Sequence, residues 1–281
     1  PLLRWGHSAI YDPVRDRMVV FGGSFATTTT TMNDTWALKL SDPPAWQELH
    51  PSGSPPSDRC GHTAIYDPVR DRMLIYGGIY EAGNVYAQPG VYALSFRDSL
   101  VWSLLETTGG PPSDRSFHST VYDSVRDRLV VFGGAEIEPW DDTWALLLAG
   151  TPAWTLLPAG APPRARSGHS AIYDPVRDRM VIFGGRASRF WGGGAYLNDV
   201  WALPFDGPGT WEQLAMDGDP PVPRAYHVAL LDESADRMVI FGGDTDQLPF
   251  NDFWQVTWDG APPVSVPQRA TPALQFAIER V

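Results

Sequence analysis

The sequence predicts an all-β protein assembled from five copies of one four-stranded antiparallel unit. Three observations carry that expectation. A 17-residue segment recurs five times, a glycine pair closes every copy, and 27 Gly with 27 Pro in 281 residues are too dense for long helices. The segment reads HSAIYDPVRDRMVVFGG from His7. It returns from His62, His118, His169 and His227 with 13, 13, 16 and 10 identities to the first copy. The glycine pairs begin at Gly22, Gly77, Gly133, Gly184 and Gly242, spaced 55, 56, 51 and 58 residues apart. A period of this length marks stacked supersecondary units, each unable to bury its apolar faces alone.

The elements of a unit follow in order. His-Ser-Ala-Ile-Tyr supplies β-branched and aromatic residues for a first strand. Asp12-Pro13-Val14-Arg15 reads as a turn, with Asp at the first corner and Pro pre-set for the second. Met18 to Phe21 is a continuous apolar run, as expected of a strand covered on both faces. Gly22-Gly23 ends that run where backbone without Cβ allows unusual dihedrals or close approach. A loop of variable length precedes a third strand, Asp34-Thr35-Trp36-Ala37-Leu38, and Trp46-Gln47-Glu48-Leu49 makes the fourth. A Pro-rich link, Ser54-Pro55-Pro56, leads into the next copy. Four short antiparallel strands per repeat are the signature of a propeller blade.

These units resemble Kelch repeats. The marks of that family are the glycine doublet, a Tyr or Trp in the third strand and a Trp in the fourth. They fall on Gly22-Gly23, Trp36 and Trp46; on Gly77-Gly78, Tyr92 and Trp102; on Gly133-Gly134, Trp144 and Trp154; and on Gly184-Gly185, Trp201 and Trp211. The fifth unit has Gly242-Gly243 and Trp254 but Val264 near the place of the last Trp. The resemblance implies a β-propeller of five four-stranded blades around a central channel, occupying residues 1–270. In one closed ring of five, blade 5 packs directly on blade 1 and the chain is a monomer; an open arc exposes two apolar faces instead. Residues 271–281 are expected to form a C-terminal extension, as an edge strand or as the start of a following domain. They resemble the entry to a β-domain found on secreted bacterial proteins, which tilts the expected location toward the cell surface or exterior, with the cytoplasm as the alternative.

Composition excludes several function classes. The net charge is −12, which argues against a nucleic-acid partner, since such proteins need a concentrated basic footprint. Cys60 is the single cysteine, so there is no disulfide framework and no Cys-based zinc site. No apolar run approaches a membrane span, and no membrane insertion is expected. His7, His62, His118, His169 and His227 share one repeat position, as do Arg4, Arg59, Arg115, Arg166 and Arg224 three residues earlier. A residue needed once per blade for geometry recurs in every blade, whereas a catalytic residue breaks the pattern. Both series are therefore read as structural, and no metal or other cofactor is expected. Asp12 and Arg17, with their repeats, read as cross-strand partners over the turn. Copper-radical oxidases also use Kelch-like propellers, and Tyr226-His227 with Cys60 resembles part of their site. Phe117 stands where a redox-active Tyr in the following blade is expected, and Phe has no phenol to oxidise. No nucleophile elbow or phosphate-binding glycine motif is present.

What varies between copies is the loop after each glycine doublet. Strand topology places all five loops on one face. They carry Tyr80, Tyr86, Trp140, Phe190, Trp191, Tyr196 and Phe250, with Arg186 and Arg189 beside several carboxylates. Near-identical strands bearing dissimilar aromatic loops suit a recognition surface. The expected function is a non-enzymatic scaffold that binds a protein or a glycan through this face. The alternatives are a carbohydrate-active enzyme of epimerase or lyase type in the central funnel, or a structural module of a larger surface protein. The inner positions two after each Arg, namely Gly6, Gly61, Phe117, Gly168 and Tyr226, offer that enzyme little acid or base.

Overall fold

The computed structural model describes residues 1–25, 30–80, 89–187, 195–207, 209–245 and 249–258, together with the backbone of 86–87. It is all-β, with five antiparallel sheets arranged as a five-bladed propeller. Blade 1 runs from the inner strand Ser8–Asp12 through Arg17–Phe25 and Thr31–Lys39 to the outer strand Ala45–Leu49. The inner strands of the next blades are Thr63–Asp67, Ser119–Asp123, Ser170–Asp174 and Val228–Asp232. Blades 2, 3 and 4 each have four strands in the same order. Blade 5 has three among the described residues, so the expected fourth strand near Val264 and the extension at 271–281 lie outside them.

The repeated turn is built by its aspartate. Asp12 Oδ1 accepts the backbone N–H groups of Val14 and Arg15, and Arg17 Nε donates to Asp12 Oδ2 at 2.9 Å. Asp12 and Arg17 are cross-strand partners, as the sequence implied. Asp16 completes the reversal at φ 46°, a left-handed value that Asp tolerates better than most residues. Beyond the turn, Val19 to Phe21 are buried on both faces. The links between blades also find a use. Ser52–Gly53 runs parallel to the outer strand Val101–Leu105 of the next blade, and Thr108 and Gly160 bridge the following two outer strands likewise. These three links thus cover edge backbone that would otherwise stay unpaired.

Four interfaces between successive blades use one set of contacts. The aromatic residue before each glycine doublet meets the inner histidine of the next blade edge-on, in the pairs Phe21–His62, Tyr76–His118, Phe132–His169 and Phe183–His227, with centroids 5.0–5.4 Å apart. The Gly22 position must lack a side chain because a Cβ there would sit 2.9 Å from the Arg59 carbonyl. Gly23 N–H donates to that carbonyl, and Gly78, Gly134 and Gly185 donate in turn to Arg115, Arg166 and Arg224. At the turn end, Arg15, Arg70, Arg126 and Arg177 each fork onto an aspartate of the next blade, namely Asp71, Asp127, Asp178 and Asp236.

None of these contacts is repeated among the described residues between blades 5 and 1. Phe241 is 54% exposed, whereas Phe21, Phe132 and Phe183 are 0% exposed. Trp46 of blade 1 is 43% exposed, whereas Trp102, Trp154 and Trp211 are at 2–3%. Direct packing of blade 5 on blade 1, expected for a closed ring of five, is therefore not what the described residues do. A physical reason is visible in the sequence of blade 5. Its turn carries Ala235 where the other four carry Arg, so it has no guanidinium to offer Asp16 of blade 1.

Candidate functional site

One face of the propeller gathers the variable loops and the mouth of the central channel. Antiparallel bridges Trp5↔Ser24, Cys60↔Ile79, Ser116↔Ala135, Ser167↔Arg186 and Ala225↔Asp244 set the residue entering each blade beside the residue leaving its glycine doublet. The next residue in each case lines the mouth. Gly61 N–H donates to Gly6 O, Phe117 to Gly61, Gly168 to Phe117 and Tyr226 to Gly168, all at 2.7–2.8 Å. This backbone ladder holds every one of the five residues at φ between 53° and 65°.

Three of those five positions are glycine, for which the left-handed region carries no penalty. Phe117 and Tyr226 occupy it at φ 53° and 59°, at a cost of order 1–2 kcal/mol each. Their rings lie over the neighbouring glycines. A Cβ on Gly61 would come within 2.8 Å of the Phe117 ring, and one on Gly168 within 3.0 Å of the Tyr226 ring. The two rings meet edge-on at 5.2 Å, and the Trp5 ring lies parallel to Phe117 at 6.4 Å. Trp5 and Tyr226 remain partly open to solvent at 43% and 37%. The mouth is therefore an aromatic platform. Weighed from sequence only for acid and base groups, these positions carry a second signal: two bulky residues interrupt a position that is otherwise glycine.

The loop aromatics named from the sequence do not converge in the same way. Trp140 is half-buried, with its ring 5.9 Å from the Arg115 guanidinium and its carbonyl accepting from Arg166 N–H. Phe250 lies 4.2 Å from the Arg224 guanidinium, and Tyr196 lies 5.5 Å from that of Arg186. Arg186 itself is buried, with its backbone paired to Ser167. Tyr80 is half-buried in the short strand Ile79–Tyr80, which pairs with Tyr86–Ala87. The side chain of Tyr86 and residues Arg189, Phe190 and Trp191 lie outside the described residues.

Beneath this face the entry arginines form a second ring. Arg115 donates to Gly133 O at 2.9 Å and forks onto both carboxylate oxygens of Asp142, while Trp144 Nε1 donates to the same carboxylate at 2.7 Å. The arrangement recurs as Arg4–Asp34–Trp36, Arg166–Asp199–Trp201 and Arg224–Asp252–Trp254. The Arg224 fork holds Asp252 down to about 2. Blade 2 departs: Gly90 replaces the aspartate and Tyr92 the tryptophan, so acceptor and indole donor disappear together. Arg59 instead lies 5.1 Å from the Tyr92 ring, and burial pushes its guanidinium down to about 10.

Four of the five inner histidines are buried between blades. His62, His118 and His169 each share a hydrogen bond with a hydroxyl of the preceding blade at 2.7–2.8 Å. Burial lowers the pKa of His118 to about 3 and of His227 to about 4, which keeps both imidazoles neutral. Among the described residues, no three His, Cys, Asp or Glu side chains group as a metal site would require. Cys60 is fully buried at the mouth, where its Cβ would stand 3.1 Å from a Cβ on Gly6.

Comparison with known proteins accords with this architecture. The KLHDC2/KLHL20/DRC7 Kelch-repeats domain matches residues 1–148 and 125–261. An F-box/kelch-repeat protein of Arabidopsis thaliana is 30% identical over 275 residues, covering 90% of this chain and 54% of that protein. Kelch domain-containing protein 2 of Bos taurus is 27% identical over 293 residues, covering 90% of this chain and 66% of the relative. The chain thus spans between about half and two thirds of these relatives. A solved structure of YjhT superposes with a TM-score of 0.73 at 16% identity, covering 92% of this chain and 82% of that one, which bears on the fold alone.

Proposed function

The chain belongs to the Kelch-repeat β-propeller family, and we propose that it is a non-enzymatic binding module whose ligand, a protein or a glycan, seats on the face shared by the glycine-doublet loops and the channel mouth. One observation carries this reading. Phe117 and Tyr226 hold backbone conformations that glycine would adopt freely, and the outcome is a partly exposed platform of three aromatic rings. Backbone strain kept at a partly exposed side chain points to use of that side chain. Aromatic rings of this kind stack on the apolar face of a sugar or anchor a peptide side chain. The half-buried loop residues Tyr80, Trp140, Tyr196 and Phe250, with Arg186, serve as the rim that fixes the platform's surroundings. Tyr86, Arg189, Phe190 and Trp191 complete the proposed ligand-binding set on the loops.

The test compares the unaltered chain with a Phe117→Gly/Tyr226→Gly variant on glycan and peptide arrays. Glycine suits both backbone positions, so the variant keeps its fold while the platform is reduced to Trp5. Ligands retained by the unaltered chain should lose at least tenfold in affinity. Undiminished binding by the double variant would move the site away from the channel mouth.

A further inference from the structure

The backbone ladder at the channel mouth leaves the site rich in acceptors and poor in donors. Gly61, Phe117, Gly168 and Tyr226 each direct their N–H to the carbonyl of the preceding ring residue, at 2.7–2.8 Å. Each accepting carbonyl keeps a second lone pair. Three of the five ring residues are glycine and Phe117 has no polar side-chain atom, so the Tyr226 hydroxyl is the ring's one side-chain donor. An anion finds little to hold it there, and the hydroxyls of a sugar call for donors as well as acceptors.

The rings themselves present π faces. Phe117 lies flat over Gly61, since a Cβ there would meet three of its ring carbons at 2.8, 2.9 and 3.0 Å. Trp5 is parallel to it within 3°, and Tyr226 stands at 76° to it. With centroids 6.4 Å apart, Trp5 and Phe117 cannot sandwich a third group, which needs about 7 Å for two carbon contacts. A ligand therefore meets their outer faces. The solvent-facing charge around them is mostly acidic among the described residues. Glu136, Glu138 and Asp141 are exposed on the loop of blade 3, the blade that Phe117 enters, and half-buried Asp244 pairs with Ala225 beside Tyr226. Burial, and after it Glu136, raises the Asp114 carboxyl above its ordinary value. The entry arginines beneath are buried or, at Arg4, forked onto Asp34, and Arg164 is the exposed exception.

We propose that the channel mouth binds an alkylammonium group on the outer faces of Trp5, Phe117 and Tyr226, borne either by a lysine side chain, methylated or not, or by a free quaternary amine. The proposal rests on the reading of the mouth as the ligand-seating face and narrows its ligand. A cation over aromatic faces is attracted by the ring quadrupoles. A quaternary ammonium has no N–H to leave unpaired, and a primary one gives its protons to the ladder carbonyls.

The experiment follows the Trp5 indole N–H resonance of the 281-residue chain, assigned by its loss in Trp5→Phe. Choline is titrated against its neutral isostere 3,3-dimethylbutan-1-ol. Choline should produce a saturable shift with an affinity at least about fivefold above that of the alcohol. Phe117→Gly/Tyr226→Gly should abolish that shift. Glu136→Gln/Asp141→Asn, which leaves every ring in place, should weaken choline about two- to threefold and leave the alcohol unchanged. N-acetyl-lysine methylamide and its trimethylated form separate the sources: tighter binding than choline by either assigns a lysine side chain, and weaker binding by both assigns a free quaternary amine. Equal affinity for choline and the alcohol would overturn the proposal, as would a stronger Trp5 response to methyl glucoside or acetate. A Trp5 resonance unmoved by choline, with array ligands still lost in the double glycine variant, would overturn the ammonium class and leave the platform standing. Array ligands that bind that variant undiminished would overturn the platform itself.

Discussion

His62 of blade 2 meets Phe21 of blade 1 edge-on, with centroids 5.4 Å apart and planes at 77°, while its Nε2 shares a hydrogen bond with Ser8 Oγ at 2.7 Å. Each such imidazole is sealed between two sheets and works as a neutral ring. Protonation would place a charge in that seam with no carboxylate to receive it.

Acid should therefore loosen the propeller before its carboxylates titrate. In the unfolded chain a histidine takes up a proton near 6.5, whereas folded His118 resists until about 3 and His227 until about 4. Between those values the unfolded chain binds more protons, so stability is complete above pH 6.5 and falls as pH falls toward 4. Asp71, Asp127 and Asp178, held low chiefly by hydrogen bonds from Arg15, Arg70 and Arg126, contribute losses only at lower pH. Thermal unfolding followed from pH 7.5 to 4.5 should show a steady decline in Tm. A His118→Phe variant should show a shallower one, and an unchanged slope would count against this assignment.

The turn arginines join blades through paired hydrogen bonds that a lysine cannot reproduce. Arg126 reaches Asp178 with both terminal nitrogens, at 2.9 and 2.6 Å, and both side chains are partly exposed. Arg126→Lys should cost about 0.5–1 kcal/mol, visible as a fall of a few degrees in Tm. A double-mutant cycle with Asp178→Ala isolates the coupling between the two residues.

Beneath the loop face the arginine is fully buried, and its loss of a partner is more serious. Asp142→Ala leaves the Arg115 guanidinium without its carboxylate and Trp144 Nε1 without its acceptor. A destabilisation of about 3–5 kcal/mol is expected in denaturant titration. Blade 2 tolerates the lack of that aspartate only because Tyr92 replaces the tryptophan, so the Asp142→Ala/Trp144→Tyr variant should recover part of the loss.

Backbone strain at the channel mouth predicts an inverted ranking of substitutions. Alanine at position 117 keeps the unfavourable left-handed backbone and loses the ring, whereas glycine loses the ring but relieves the backbone. Phe117→Gly should be more stable than Phe117→Ala by about 1 kcal/mol in chemical denaturation, the reverse of the order found in ordinary strands.

Trp140 tests the division between rim and platform. Its ring packs by the Arg115 guanidinium in a half-buried position. Trp140→Ala should lower stability by about 2–3 kcal/mol, whereas Phe117→Gly/Tyr226→Gly should lower ligand affinity with little loss of Tm.

The repeat was legible from the sequence alone, because what builds a blade is local. Alternating strands, an aspartate capping a four-residue turn, and a glycine doublet are recorded within a single 17-residue segment, and the recurrence of one His and one Arg per copy already identified them as parts of the fold. The relations between blades are not local, and tertiary structure decided them. That Arg15 forks onto Asp71, 56 positions away, depends on the angle at which one sheet stacks on the next. The meeting of Trp5, Phe117 and Tyr226 depends on how far each inner strand stands from the axis. Trp140, Tyr196 and Phe250 lie by the buried guanidiniums of Arg115, Arg186 and Arg224, which offer a flat, desolvated partner. Whether the fifth blade reaches the first depends on the same stacking angle summed over four interfaces, a quantity that no single repeat contains.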